Sequence, residues 1–198
     1  QSAVWAEKLE LAAQKVPELR EAWERWMEGL FQMLAANSPA DETGNLTLRL
    51  KPASLPEQWT GIETDRNNVI QRLSDLIRPL EKLSADIREE SDEIGLQGLL
   101  TDLGGLVKDL SNVRSDTQSF VTLGKPEFVY WIEGHSQFRS RSLQINGAPA
   151  DVSELLREGV FDRKASVVMT SATLTVDKSF HFVTEQLGLD EAEKNGRL

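Results

Sequence analysis

The residues best suited to chemistry are two hydroxyl side chains near the C-terminal end of the sequence. Ser171 and Thr173 follow the short apolar run 167–169, which predicts a buried parallel strand ending where the hydroxyls begin. In open α/β sheets the ends of such strands form the edge at which ligands bind. The sequence therefore predicts that Ser171, Ala172 and Thr173 lie at a ligand-binding edge of a sheet.

The familiar catalytic motifs are absent from the sequence. It contains no G-x-x-x-x-G-K-[ST] phosphate loop, no G-x-G-x-x-G, no G-x-S-x-G and no H-E-x-x-H. The two histidines stand in no recognisable triad arrangement, so Ser171 has no predicted general base. His135 is predicted in a solvated hairpin turn and His181 in a helix, and no metal site is expected at either. The chain alone is predicted to be inactive.

Composition and charge restrict the class of protein. The 198 residues are 39% hydrophobic, enough for a core, and the formal net charge of −10 argues against a broad basic surface for nucleic acid. With no Cys, neither a disulfide nor an iron–sulfur cluster is expected in this stretch. No apolar run approaches the length of a membrane span, so a cytoplasmic protein is expected. The missing initial Met and the charged tail 190–198 suggest a piece of a longer chain.

The tail includes the acidic run 190–193, which superficially resembles a magnesium-binding box. It follows residues 187–189 rather than a buried strand, and this placement favours a solvated acidic surface.

Apolar residues three or four positions apart predict helix over the first part of the sequence. This series consists of Trp5, Leu9, Ala12, Val16, Leu19, Trp23, Trp26, Leu30 and Leu34. Pro17 should kink or restart the helix near residues 15–17 because it lacks an N–H and clashes one turn back. The tryptophans could stack on bases, but their helical spacing favours a stripe that faces a core.

Two regular leucine seams follow a short strand at 46–50. The first seam contains Leu73, Leu76, Leu80, Leu83 and Ile87, and the second contains Leu96, Leu99, Leu103, Leu106, Leu110 and Val113. Joined by the polar segment 89–93, they predict an antiparallel helical hairpin. Pro79 should bend the first helix. Four glycines in or near the second helix indicate either local flexibility or a closely packed neighbour; they are Gly95, Gly98, Gly104 and Gly105.

After Thr122 the pattern changes from helical to alternating. Segments 127–133 and 137–145 predict a β-hairpin with its turn at 134–136, and residues 146–149 predict a second turn. A helix capped by Asp151 or Ser153 should follow. Beyond the buried strand, Asp177 or Ser179 should cap a last helix that ends at Gly188.

The predicted fold is therefore mostly α, with an antiparallel helical hairpin, plus a small α/β portion with a β-hairpin and part of a parallel sheet. The predicted domains are residues 1–126 and residues 127–198. A single buried parallel strand needs covered neighbours on both sides, so the rest of its sheet is expected outside this stretch.

The last third of the sequence resembles the DinG-type helicases of the XPD-like group in superfamily 2. The similarity lies in the run 170–176 around Ser171, Ala172 and Thr173, in Ser179 and Phe180, and in residues 186–189. Residues 130–133 and 148–161 also resemble that family. Over 1–126 the resemblance rests on position and helical character, which fit the arch domain inserted before the Ser-Ala-Thr motif.

The resemblance implies ATP-driven translocation on single-stranded DNA, usually 5′ to 3′, with unwinding of duplexes and R-loops during repair. Some relatives are instead nucleases. It also implies that Ser171 and Thr173 couple ATP hydrolysis to DNA movement without acting as nucleophiles. ATP and Mg²⁺ would be bound by the full-length protein and not by this stretch alone.

For the arch, the resemblance implies a wall beside the DNA path, but the residues that would touch DNA are not identified. Five basic side chains could line a groove, although a solvated helix face is the favoured interpretation; they are Arg66, Arg72, Arg78, Lys82 and Arg88. The alternative from a different class is a non-enzymatic helical scaffold that binds a protein partner through the hairpin.

Overall fold

The computed structural model describes residues 2–90, 96–135, 142–176 and 178–189. Its elements are α1 Ser2–Ala13, α2 Val16–Asn37, β1 Asn45–Leu50, α3 Trp59–Glu90, α4 Gln97–Thr122, β2 Phe128–His135, β3 Leu143–Pro149, α5 Ser153–Gly159, a 3₁₀ turn Phe161–Arg163 and α6 His181–Gln186. The prediction of a mostly helical fold with a small strand-containing portion is confirmed. Among the described residues, no helix combines the length and apolarity needed to cross a membrane.

The chain forms two compact units. The helical unit contains Gln1–Pro126 and Tyr130–Gly147, and the C-terminal unit contains Glu127–Val129 and Ala148–Leu198. Most of the hairpin thus belongs with the helices, because β1 from the first part of the chain pairs with β2. The assignment of 1–126 to an arch and 127–198 to a motor domain stays a prediction.

The first helical segment is broken where Pro17 predicted a break. α1 ends at Ala13, and α2 starts at Val16 with the proline in its first turn, where a missing N–H costs least. Trp26, Leu30 and Leu34 are buried, as the core-facing stripe predicts. Trp23 and Trp26 meet edge to face, with ring centroids 5.5 Å apart.

Two positions of the predicted first stripe do not face the core. Leu9 is 47% exposed and Val16 is 39% exposed. Val16 is the first residue of α2, directly after the break, so the regular period does not continue to it. Leu9 lies inside α1, and the prediction was wrong for both residues.

The helical hairpin forms as predicted. All five residues of the first seam are buried on α3, which continues through Pro79. Arg114 of α4 donates to the hydroxyl of Ser74 at 3.4 Å, and Phe120 near the end of α4 lies 6.5 Å from Trp59 at the start of α3. These contacts show that the helices run antiparallel. Residues 91–95, which contain most of the predicted joint and Gly95, lie outside the described residues.

The prediction for the second seam is correct for only three of its six residues. Leu103 is buried, with Leu96, Leu100, Val107 and Leu110 packed around the same core cluster. Leu99, Leu106 and Val113, predicted to face α3, are instead largely exposed. α4 carries apolar residues at more helical positions than one seam needs, and the pair Leu100 and Val107 occupies the core-facing side in their place.

The glycines of α4 do not mark close helix packing. A β-carbon placed on Gly98, Gly104 or Gly105 would meet no neighbouring atom within 4 Å. Among the described residues, no neighbour packs closely at these three positions, so the alternative of a closely packed neighbour finds no support within them.

The strands form one three-stranded sheet in the order β1-β2-β3, with β1 and β2 antiparallel. Leu46 and Leu50 of β1 are buried, which confirms the predicted half-buried strand. His135 pairs with Asn45 at the end of β2 and is not in a turn, so that prediction was wrong. Residues 146–149 continue β3 and do not form a turn. The predicted strand residues 137–141 and Ser136 lie outside the described residues.

Candidate functional site

The segment that leads to the Ser-Ala-Thr motif is extended and exposed. Residues 164–171 form no helix or strand, and Val168 is 87% exposed, with Val167 and Met169 about half as exposed. The prediction of a buried strand at 167–169 was therefore wrong for this structure. The physical reason is that a parallel strand is buried only between paired neighbours, and no described strand pairs with these residues.

The hydroxyls of the motif hold one turn together. The backbone N–H of Thr173 donates to Oγ of Ser171 at 3.2 Å, and the two side-chain oxygens lie 3.4 Å apart. This is a serine turn, in which a hydroxyl accepts a hydrogen bond from the backbone two residues on. This turn was not among the predictions, although the Ser-x-Thr spacing is a signal from which it could have been predicted. All three motif residues remain exposed, so both hydroxyls are accessible to a partner.

No described histidine stands ready to activate Ser171. His181 is exposed at the start of α6, and its backbone N–H donates to Oγ of Ser179 at 3.1 Å. His135 belongs to β2 of the helical unit. Within the described ranges, no group of three or more potential ligands could hold a metal ion. The motif can thus offer two hydroxyls and a turn, but no nucleophile paired with a base.

Within the C-terminal unit, the residue Gly188 after α6 lies close to Ser153 at the start of α5. Gly188 follows α6 with φ +69°, and a β-carbon there would lie 2.4 Å from the carbonyl oxygen of Ser153 in α5. The predicted glycine end of the last helix is confirmed. Asp177, one of its two predicted caps, and the acidic run 190–193 lie outside the described residues.

Neither predicted residue is the N-cap of α5, which is Val152, but Asp151 directly before it bonds to the first helical residue. Oδ1 of Asp151 accepts the backbone N–H of Ser153 at 2.8 Å. This hydrogen bond lowers the pKa of the Asp151 carboxyl below its ordinary value. Asp151 therefore satisfies a free N–H in the first turn of a helix, which is a structural role.

The basic side chains of α3 do not form one continuous surface. Arg66 is buried, at 6% exposure, and cannot line a groove. Arg72 is paired with Glu18 of α2 at 2.6 Å. Arg78, Lys82 and Arg88 are exposed. The burial of Arg66 contradicts both the groove lined by all five residues and the favoured solvated helix face at this position.

Comparison with known proteins identifies two relatives. The chain is 28% identical over 173 residues to the 3′-5′ exonuclease DinG of Bacillus subtilis strain 168, an alignment that covers 84% of the chain and 18% of that protein. It is 29% identical over 80 residues to the ATP-dependent DNA helicase YoaA of Escherichia coli strain K12, covering 40% of the chain and 12% of that protein. No family model matches the chain.

These relatives confirm the resemblance to DinG-type proteins. The chain spans less than a fifth of the length of either relative. The 173-residue alignment is longer than either compact unit, so the similarity to DinG extends over both.

Proposed function

We propose that the chain is part of a cytoplasmic ATP-dependent DNA helicase of the DinG type. In this proposal residues 1–126 form its helical arch and 127–198 form the returning part of its first motor domain. The observation that carries the proposal is the alignment with DinG through both compact units, supported by the similarity to the helicase YoaA. The full-length protein would bind single-stranded DNA and move along it with ATP as the energy source, unwinding duplexes or R-loops in DNA repair.

The proposed role of Ser171 and Thr173 is to transmit nucleotide state to DNA movement. Two exposed hydroxyls that now bond within their own turn can exchange those bonds for others with little steric cost. The described residues offer no ligand set for Mg²⁺, so ATP and Mg²⁺ would be bound elsewhere in the full-length protein. In this proposal, Ser171 and Thr173 contribute only hydrogen bonds and take no part in binding ATP or Mg²⁺.

The exposed apolar segment fits the same proposal. Val167, Val168 and Met169 have the composition of a strand but no strand beside them. In the full-length helicase, the remaining strands of the motor-domain sheet would cover them, and Ser171 would then stand at the edge of that sheet.

The test is the double variant Ser171→Ala, Thr173→Ala in the full-length protein. We expect strand displacement to fall by roughly tenfold or more while ATP binding changes little, because only the coupling hydrogen bonds are lost. Thr175→Ala is the matched control, since this residue is also exposed in the same segment. Equal losses of binding and unwinding in the double variant would refute the coupling role.

The Bacillus relative is a 3′-5′ exonuclease, which favours a second candidate function, a nuclease without helicase activity. A duplex labelled at the recessed 3′ end separates the two. Release of labelled nucleotides without ATP indicates the nuclease, whereas ATP-dependent release of an intact labelled strand indicates the helicase. The scaffold alternative predicts neither product, and also predicts no phosphate loop or D-E-x-H motif in the adjoining coding sequence.

A further inference from the structure

Helix α4 has an apolar face that no described residue covers. Leu99 and Leu106 are 47% and 48% exposed, and Val113 is 39% exposed. The three residues are seven positions apart, so they lie in one line along the helix, the spacing at which helices pack against each other in coiled coils. We call Leu99, Leu106 and Val113 the outer seam of α4. Single exposed leucines need no explanation, but an aligned set of three indicates a contact surface.

A row of carboxylates runs beside the outer seam. Asp102, Asp109 and Asp116 each follow a seam residue by three positions, which makes them its neighbours on the helix surface. All three are exposed, and none has an ion pair or hydrogen bond to another described side chain. The face thus combines an apolar line with an unneutralised negative line of the same period.

Two glycines lie on the same flank of the outer seam as the aspartates, one helical turn before Asp102 and Asp109. Gly98 and Gly105 immediately precede Leu99 and Leu106, and a β-carbon on either glycine would meet nothing within 4 Å. Glycine inside a helix costs about 1 kcal/mol relative to alanine, and no described residue packs into the space that Gly98 and Gly105 leave. On an outer surface, the missing side chains leave room for a second backbone to approach.

We propose that the outer seam of α4 binds an amphipathic α-helix that carries aliphatic residues at heptad spacing and Lys or Arg beside them. The aliphatic residues would pack on Leu99, Leu106 and Val113, and the basic residues would pair with the three aspartates. Charge complementarity selects this occupant. A second copy of the chain would bring the same aspartates and its own charge of −10 to the interface, and nucleic acid would meet carboxylates.

This inference does not depend on the proposed function. It rests on the exposure and spacing of α4 residues, whereas the helicase proposal rests on the similarity to DinG and YoaA. Loss of coupling at Ser171 and loss of helix binding at α4 are measured in different assays, so either proposal can fail alone.

The experiment measures binding of a fluorescent helical peptide to the 198-residue chain by anisotropy at low salt. The probe has about four heptads with Leu at the apolar positions and Lys at the flanking ones, and its control has Glu in place of Lys. We expect the basic peptide to bind and the acidic peptide not to bind. Leu99→Gln with Leu106→Gln should weaken binding at least about tenfold. The matched control Leu155→Gln, at a leucine 61% exposed in the C-terminal unit, should leave it unchanged.

A second variant tests how much the aspartate charges contribute to peptide binding, and it keeps the side-chain size unchanged. Asp102→Asn with Asp109→Asn should weaken binding several-fold and make it less sensitive to salt. Equal binding of the basic and acidic peptides would overturn the proposal, as would unchanged binding by the leucine or the asparagine variant. Sedimentation of the chain as a dimer that Leu106→Gln converts to a monomer would also overturn it, in favour of a second copy as occupant.

Discussion

The two units of the chain differ in how far they bury their apolar side chains. Among the described residues, the large side chains that are less than 2% exposed all belong to the helical unit; they are Trp26, Leu30, Met33, Leu34, Val69, Leu73, Ile77, Ile87 and Ile132. In the C-terminal unit Val168, Phe180 and Phe182 are each more than half exposed, and Leu189 is its only buried aliphatic side chain among the described residues.

This difference separates a part that has its own core from a part that does not. Ordering a backbone costs about 1–2 kcal/mol per residue, and burial of apolar surface is the main gain that offsets it. The helical unit obtains this gain from α1 to α4 and the sheet. The C-terminal unit has apolar residues but leaves Val168, Phe180 and Phe182 largely in solvent, so it obtains much less of this gain.

The largest expected effect comes from truncating one leucine in each unit. Leu30→Ala should lower the free energy of unfolding by about 2–5 kcal/mol, because Leu30 is fully buried and its loss leaves a cavity. Leu155→Ala should change it by less than about 0.5 kcal/mol, because Leu155 is 61% exposed. Urea titration followed by far-ultraviolet circular dichroism measures both variants.

Tryptophan fluorescence assigns the loss to a unit. The chain has five tryptophans, at positions 5, 23, 26, 59 and 131, and all belong to the helical unit. Leu30→Ala should therefore move the fluorescence and dichroism midpoints together. A loss as large for Leu155→Ala as for Leu30→Ala would erase the contrast between the two units.

The next effect tests the backbone of the C-terminal unit. Gly188→Ala should destabilise this unit by about 1–3 kcal/mol, because φ is +69° and the new β-carbon would lie 2.4 Å from the Ser153 carbonyl oxygen. Hydrogen exchange of the α5 and α6 amides should report the loss, while the tryptophan fluorescence midpoint stays unchanged.

Gly159→Ala is the matched control for this substitution. A β-carbon at Gly159 meets nothing within 4 Å, so the same chemical change in the same unit should cost little. If Gly188→Ala shifts the fluorescence midpoint as much as it accelerates exchange in α5 and α6, the two units do not unfold independently.

Sequence periodicity predicted the helical unit better than the C-terminal unit for a physical reason. The stripe of α3 and the break before α2 depend on local spacing and on Pro17, which act within a few residues. The exposure of Val168 depends on which strands lie beside it, and that is not a local property. Half of the predicted seam of α4 was wrong because Leu100 and Val107 form a second apolar line of the same period, and these two residues pack against the core with Leu96, Leu103 and Leu110.

In the candidate site too, the features that depend on local sequence were the predictable ones. The glycine at the end of α6 and the aspartate before α5 could be identified from residue type and position alone. The turn closed by Ser171 was implicit in the Ser-x-Thr spacing. The burial of Arg66 had a visible signal as well, because it stands four residues after Ile62 and three before Val69, on the apolar stripe of α3.

The smallest expected effect concerns that arginine, the main irregularity in the core of the helical unit. Nε and Nη1 of Arg66 are buried and lack a hydrogen-bond partner among the described residues. Burial of unsatisfied donors is unfavourable, so Arg66→Met should raise the free energy of unfolding by about 1–2 kcal/mol. A methionine keeps much of the side-chain volume while it removes the charge and the donors. Urea titration followed by tryptophan fluorescence measures the change.

Arg78→Met is the control on the same helix. Arg78 is exposed, so the loss of its charge should alter stability by less than about 0.5 kcal/mol. Stabilisation by Arg66→Met alone would mean that the helical unit carries a buried charge at a net cost, despite having its own core. Destabilisation by Arg66→Met would instead mean that the guanidinium contributes packing that outweighs its unsatisfied donors. The core of the helical unit would then depend on a charged residue, and the contrast with the C-terminal unit would be one of degree.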